Sequence, residues 1–408
     1  MSLSLRRITA PEAELLSPAG DRERLRMALL YGADAVYLAG RAYGMRAASA
    51  NFSDEGLEEA VGLAHAAGAK LYVTCNTLPL ERELEPLPQY LGFLQEIGVD
   101  ALIIADLGVL SLAKKHAPRV ARHVSTQFGV INSASARALW ELGADTVVLA
   151  RETRMEDIRR IRANTPPELR LEAFVHGAMC VSFSGRCLLS NYLTGRDANR
   201  GECAQPCRWK YHLVEEKRPG QYFEISEDGG TYIMNSRDMR MIEHLPELLD
   251  AGITSLKIEG RMKSAYYTAV VTNAYRQALD AALEGRPLDP LWVAETEKVS
   301  HRPYSTGFYF GEPGQHDSEA SYSATADVVA VVEDCDGQGN ALLTQRNKIF
   351  RGDALELLLP GERPLPFTSE RILGEEGEEL EDTRRAMMPF RLKLPMQAPR
   401  GAIVRKNR

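Results

Sequence analysis

As far as Glu259 the chain alternates short apolar runs with amphipathic stretches, and one recurring phrase marks the joints. Tyr31-Gly32-Ala33-Asp34 leads into AVYLAG, Ile97-Gly98-Val99-Asp100 into ALIIAD, Leu142-Gly143-Ala144-Asp145 into TVVLAR, and Ala251-Gly252-Ile253-Thr254 into SLKIEG. Ala67-Gly68-Ala69, before KLYVTCN, is a variant. In each case an amphipathic stretch such as EGLEEAVGLAHAA ends at a glycine able to take the left-handed C-cap conformation. The following run, rich in Val, Ile and Tyr, suits a strand covered on both faces. Adding the apolar runs without the phrase predicts strands near Glu14–Leu16, Ala35–Leu38, Lys70–Thr74, Ala101–Ile104, Arg122–Ser125, Thr146–Leu149, Arg170–Val175 and Ser255–Glu259. Such alternation predicts an α/β fold, a (β/α)8 TIM-type barrel. A doubly wound open sheet competes with it, but no GxGxxG follows the first strand and no GxxxxGK[ST] loop occurs.

The rhythm breaks twice. Residues 177–234 interrupt the barrel pattern between its last two strands, and long insertions in compact domains are commonly functional. From Ala326 onward ADVVAVVED, NALLTQR, DALELLLP and FRLKLP alternate apolar and polar residues between turn formers. We therefore expect a barrel over 1–325, carrying the insertion 177–234, and a small antiparallel β-barrel over 326–408, joined by the irregular stretch GFYFGEPGQHDSEASYSAT.

Composition narrows the class. The 408 residues are 44% hydrophobic and 26% charged, with a net charge of −7, as in an ordinary globular protein and unlike a disordered or disulfide-scaffold chain. No apolar run reaches the length of a membrane-spanning helix, and the first residues lack the apolar core of a signal peptide. A cytoplasmic protein without a membrane partner is expected. A mild acidic excess argues against bulk nucleic-acid binding but leaves room for a local basic face.

Four of the six cysteines, Cys180, Cys187, Cys203 and Cys207, fall inside the insertion, whereas Cys75 and Cys335 stand alone in strand-like runs and read as core packing. Clustered thiols in a cytoplasmic chain point to metal ligation rather than disulfides. Structural zinc favours a tight knuckle in each half of the site, and only Cys203 and Cys207 make one. A 4Fe–4S cluster tolerates irregular spacing, so it is favoured with zinc as the alternative. Arg186, Arg196, Arg200, Arg208 and Lys210 lie among these cysteines. They could offset the charge of an anionic cluster, contact RNA phosphates, or simply form a solvated basic loop.

Strand ends at the C-terminal face of a barrel carry its chemistry. Arg46 and Arg261 could clamp a carboxylate, and Asn76, Gln127 and Asn235 could bind substrate by hydrogen bonds. Lys257 and Glu259 alternate on the last strand and should point inward together, as catalytic groups or as a buried ion pair. His176, beside the insertion, is either an acid/base group or a neutral histidine holding the loop. No GxSxG elbow and no HExxH helix is present.

The run EAFVHGAMCVSFSGRCLLSNYLTGRDANRGECAQPCRW resembles the signature of the collagenase-like peptidase family, peptidase family U-32. ELLSPAG, YLAGRAYGMRAASANFS, VSTQFGV, YIMNSRDMRMIEHLPELLDAGITSLKIEGRMKS and HRPYSTGFYFG extend the likeness over nearly all of the barrel. The segments NRGECAQPCRW and IMNSRDM look nearest to an RNA-hydroxylating branch of that family, with Arg237 standing where lysine is commoner. The resemblance implies a 4Fe–4S cluster on Cys180, Cys187, Cys203 and Cys207. It also implies tRNA as substrate, and prephenate-dependent, oxygen-independent conversion of wobble uridine to 5-hydroxyuridine, with an electron donor as a further partner. The alternatives are the peptidase activity that names the family and a non-catalytic Fe–S scaffold that binds RNA. The basic end, Arg400 to Arg408, is a candidate grip for that RNA.

Overall fold

The computed structural model describes residues 13–45, 51–180, 182–183, 187–209, 220, 236–314 and 323–408. Ten strands form the first sheet: β1 (Glu14–Pro18), β2 (Ala35–Leu38), β3 (Lys70–Cys75), β4 (Ala101–Ile104), β5 (Ala121–Val124), β6 (Thr146–Val148), β7 (Arg170–Ala178), β8 (Asp238–Arg240), β9 (Ser255–Ile258) and β10 (Tyr304–Ser305). Strands β1 to β7 pair in order and in parallel, and β9 closes the ring by pairing in parallel with both β7 and β1. The eight strands expected from the apolar runs are the eight of this closed barrel. Two short strands were not foreseen: β8 runs antiparallel to the end of β7, and β10 parallel to β8.

The repeated phrase explains why the barrel closes in one register. Gly32, Gly68, Gly98, Gly143 and Gly252 all take positive φ, between 74° and 105°, where a Cβ would be strained. The aspartate two positions later does more than end a turn. Its carboxylate accepts a backbone N–H at or near the start of the preceding strand: Leu15 to Asp34, Leu71 to Asp100 and Arg122 to Asp145, each at 2.8 Å. Its carbonyl accepts from the first residue of the next strand: Lys70 to Asp34, Ala121 to Asp100 and Arg170 to Asp145, at 3.0 to 3.1 Å. Each aspartate thus ties three neighbouring strands. In the fourth copy Thr254 keeps the carbonyl half of the pattern, accepting from Glu14 at 2.9 Å.

Residues 326–407 form a separate eight-stranded antiparallel sheet, curled around its own core of Val329, Leu343, Phe390 and Val404. It is fastened to the barrel by polar contacts sunk in the interface. Arg405 donates to both carboxylate oxygens of Glu295, at 2.6 and 2.7 Å, and to Glu356 at 2.8 Å. The Tyr31 hydroxyl donates to the Leu358 carbonyl at 3.0 Å, and Asn273 accepts from the Gly361 N–H at 2.9 Å. Of the basic end, Arg405 is buried in this interface, whereas Arg400, Lys406 and Arg408 pair at the surface with Glu333, Asp353 and Asp327. Among the described residues no helix is long and apolar enough to cross a membrane.

Two stability effects follow. Asp100→Ala strips the acceptor from the N–H of fully buried Leu71 and should cost about 1–3 kcal/mol in urea unfolding, with Asp100→Asn costing less. Arg405→Met leaves the Glu295 carboxylate, whose side chain is 3% exposed, without its partner. That should cost about 3–5 kcal/mol, and a double variant with Glu295→Gln should recover part of the loss.

Candidate active site

The C-terminal strand ends enclose a cavity of about 70 Å³ whose charged lining is Arg151, Lys257, Glu259 and Arg261. Lys257 points inward from β9 as its alternation requires. Its partner is Glu172 on β7, not Glu259: Lys257 Nζ lies 2.6 Å from Glu172 Oε1, with side chains 5% and 0% exposed. The rings of Tyr37 and Phe174 flank the ammonium, with centroids 4.7 and 5.5 Å away. Lys257 and Glu259 both line the cavity, as alternation on β9 predicts, but each takes a different partner; β7 has a register shift between Phe174 and His176, opposite the end of β9. Glu259 lies past that shift, its N–H bonded to the His176 carbonyl at 2.8 Å, and its carboxylate turns to Arg151 at 3.3 Å.

The other expected binding residues separate into two groups. Arg261 is 5% exposed, donates to Thr74 Oγ1 at 3.3 Å and also reaches the Met45 carbonyl. Asn76 accepts from the Met45 N–H at 3.1 Å, and Gln127 contacts the Met45 sulfur at 2.8 Å. All three line the mouth and fix the segment after β2. Arg46 and Asn235 lie outside the described residues. Arg151, a polar strand-end residue to which the sequence assigns no particular role, follows β6 in the same position as the others and joins them at the mouth. Its three cations outnumber the carboxylates Glu259 and Glu172, so the mouth suits an anionic ligand.

A second cavity, of about 340 Å³, adjoins the first and shares Arg151 and Glu259 with it. Cys180, Cys203 and Cys207 line it with Arg196 and Lys263. Cys187 is half-buried and outside that lining. Among the described residues no three His, Cys, Asp or Glu side chains converge as one bound ion requires. A cluster asks only that its thiolates surround a volume, which three of these do beside two cations. The Gln205 N–H turns to Cys203 Sγ at 3.4 Å, and Gln205 itself holds φ +57°, an uncommon conformation for a side-chain-bearing residue. Polarised donors at cysteine sulfur are what an anionic cluster needs from its surroundings. Three thiols, two cations and this donated N–H therefore stand around one cavity.

Within the insertion, Arg200 is used as a staple. It donates to Glu83 at 2.6 and 3.1 Å and to the Leu78 carbonyl at 3.1 Å, pinning the cysteine segment to the loop after β3. That hydrogen bonding, with the Leu80 N–H, holds the Glu83 carboxyl down at about 2. Arg186, Lys210 and the Arg208 side chain lie outside the described residues.

His176 lines neither cavity. It is 1% exposed, and its ring packs among Tyr267, Tyr275 and Tyr304 beneath the helix Ala265–Leu283. The Tyr275 hydroxyl already donates to the Val175 carbonyl at 2.7 Å, so His176 Nδ1, 3.2 Å away, is the donor to it. Nε2 is buried without a hydrogen-bond partner. Burial first, then Arg240, Lys263 and His301, keep the ring well below its ordinary value and neutral. It holds the wall instead of serving the mouth.

Below Lys257 the barrel interior is polar. Ser255 Oγ lies 3.2 Å from both Glu172 and Glu14, and Glu14 accepts from Tyr72 at 2.7 Å and Lys70 at 3.2 Å. Burial alone would raise the Glu14 carboxyl, but Arg170, Lys70 and Tyr72 more than offset it, and it is lowered. His123 stacks edge-on to Tyr72, 4.6 Å between centroids, and its Nδ1 is 3.9 Å from Glu172, too far for a hydrogen bond.

A family model for peptidase family U32 matches residues 20–319, and a model for that family's C-terminal domain matches 324–405. The tRNA hydroxylation protein P1 of Bacillus subtilis is 36% identical over 410 residues, covering 99% of this chain and 97% of that protein. The tRNA hydroxylation protein P of Escherichia coli is 36% identical over 413 residues, covering 90% of each. A collagenase of Porphyromonas gingivalis is 32% identical over 312 residues, covering 73% of this chain and 74% of that protein.

The polar interior makes stability depend on pH. Burial, with Arg170, Lys257 and Lys70 and against the opposing pull of Glu14, pushes His123 down to about 3, below its ordinary 6.5. The unfolded chain therefore takes up the proton first, and stability falls as pH drops below 6.5, by at most about 1.4 kcal/mol per pH unit for this ring. Between 6.5 and roughly 5, above the carboxylate range, urea midpoints of His123→Gln should fall less steeply with pH than those of the wild type.

Proposed function

The chain belongs to peptidase family U32, and within that family we propose that it is a tRNA-modifying enzyme that hydroxylates wobble uridine to 5-hydroxyuridine. The observation that carries this reading is likeness over 99% of the chain to a named tRNA hydroxylation protein. The cationic mouth supports the finer proposal of a small dicarboxylate co-substrate such as prephenate, used without molecular oxygen. Arg261 and Arg151 would bind its carboxylates, above the Lys257–Glu172 pair. The larger adjoining cavity would admit the uridine, with Glu259, on the shared wall, placed to hold or move a proton. We assign a 4Fe–4S cluster to Cys180, Cys187, Cys203 and Cys207; when bound it supplies one-electron chemistry or a Lewis-acidic iron. A cytoplasmic setting and an electron-donor partner belong to the same reading.

Likeness to a collagenase makes peptide hydrolysis the second reading. The hydroxyls of the mouth favour it little. Ser125 Oγ caps the Gln127 N–H at 3.3 Å, and Thr126 Oγ1 donates to the Leu149 carbonyl at 3.1 Å. Among the described residues no histidine lines the mouth to activate either of them.

The test is an anaerobically grown deletion strain, in which an oxygen-dependent enzyme cannot mask the loss. Its tRNA should lack 5-hydroxyuridine, the wild-type gene should restore it, and Arg261→Met should restore about a tenth or less. Anaerobically purified protein should carry iron and sulfide, and Cys203→Ser should lose most of both. Unchanged 5-hydroxyuridine in the deletion strain would refute the modification reading. Colourless protein with stoichiometric zinc would refute the cluster, and gelatin cleavage abolished by one mouth substitution would favour the peptidase.

A further inference from the structure

The short helix Leu189–Thr194 of the cysteine insertion reverses the usual pattern of burial. Its polar residues are the ones tied inward: Ser190 is buried and accepts from the Ala204 N–H at 3.0 Å, and Asn191 donates to Asp197 at 2.5 Å. Its large apolar residues face water. Leu188, at the N-cap, and Tyr192, one turn on, share a face and are 50% and 78% exposed, with exposed Leu193 beside them. A helix in a globular domain ordinarily buries such a stripe, so a displayed one marks a surface that a partner covers. The display continues around the larger cavity. Phe183, three residues after Cys180, and Trp209, two after Cys207, are exposed, and exposed Met262 is part of the cavity wall. The helix packs on the turn Pro206–Arg208 that leads to Trp209. Phe183 sits over Gly129 in the loop after β5, where a Cβ would stand 3.3 Å from its ring. Arg196, exposed and four residues after Tyr192, lines the same cavity.

We propose that this surface is a stacking platform for a single-stranded RNA loop, holding the bases on either side of the one that enters the larger cavity. The inference rests on the reading of the protein as a uridine-modifying enzyme, and it assigns to Tyr192, Trp209 and Phe183 the grip on the loop. A uridine inside a stacked strand cannot reach a recessed cavity. It must be splayed out, and its neighbours then lose the ring they stacked on. Exposed aromatic faces beside the cavity replace that stacking whichever bases flank the target, because every base has a π-face. Arg196 supplies the charge that the backbone phosphates between those bases require. The leucines alone would suit a protein partner equally well. Aromatic rings with an arginine at the edge of a cavity are instead the combination that holds unpaired nucleotides, and a duplex, whose base faces are covered, cannot use it.

The test is fluorescence anisotropy of a dye-tagged anticodon stem-loop on anaerobically purified holoprotein at fixed ionic strength, with a fully paired RNA as control and no turnover required. Tyr192→Ala and Trp209→Ala should each weaken stem-loop binding about tenfold and leave the weaker binding of the paired RNA unchanged. Tyr192→Phe should bind as the wild type does. Tyr192→Leu should bind as weakly as Tyr192→Ala, since leucine keeps the apolar surface and loses the ring face. The iron content of each variant reports whether the insertion is intact, and the contrast between Tyr192→Phe and Tyr192→Leu decides the matter if the alanine variants lose iron. Wild-type affinity in Tyr192→Leu, or in both alanine variants, overturns the platform. Self-association in sedimentation that Tyr192→Ala abolishes would make the occupant a second copy of this chain, and loss of binding to a ferredoxin-type electron donor alone would make it a protein; either result overturns the RNA assignment. Normal 5-hydroxyuridine in the deletion strain would refute the modification reading without altering these affinities, whereas its loss there with unchanged affinities would refute the platform alone.

Discussion

The barrel depends on carboxylates placed at three of its joints between a helix and the strand that follows it. Asp34, Asp100 and Asp145 each accept a backbone N–H of the strand before and offer their own carbonyl to the strand after. Parallel strands joined by helices have no tight turn to set their register, and a one-residue slip would reverse every side chain. These bonds prevent the slip where it would matter most. With the N-terminal ends locked, all eight strands deliver their last residues to one rim, and the mouth exists because its floor cannot shear.

The interior then carries an unusual load of charge for a barrel core. Glu14, Glu172 and Lys257 sit one above another among buried strands, joined through Ser255 and covered by Tyr72 and His123. Every carboxylate in this column has a cation or a hydroxyl against it, which is the condition for keeping charge away from water. The neutral histidine fits the same logic, since a proton on it would add an unbalanced charge. At the top of the column Glu259 lines both cavities and pairs with Arg151, so it belongs to the wall between them and not to the ladder beneath.

The same neutralisation shapes the surface. The cationic C-terminal end looks in sequence like a grip for RNA, yet each of its arginines and its lysine meets an acid brought in from elsewhere, Arg405 deep in the interface between barrel and sheet. Arg200 of the cysteine insertion is likewise bound to Glu83, some 117 positions earlier in the chain. Charges that seem free along the chain become fasteners once distant acids arrive.

The sequence by itself determined the barrel. Strand position and order follow from apolar runs and left-handed glycines, and both are local features, legible within ten or so residues. It also placed the four clustered cysteines, and its motifs carried the family. What it could not decide were partnerships between residues far apart. Lys257 pairs with Glu172 of the neighbouring strand β7 and Glu259 with Arg151, His176 turns to tyrosines of a helix a hundred residues away, and Arg151 enters the site because β6 ends beside β7. Alternation along a strand tells which face a side chain takes. Only the closed barrel brings in the opposing charge, and in a buried site it is the opposing charge that decides what each residue does.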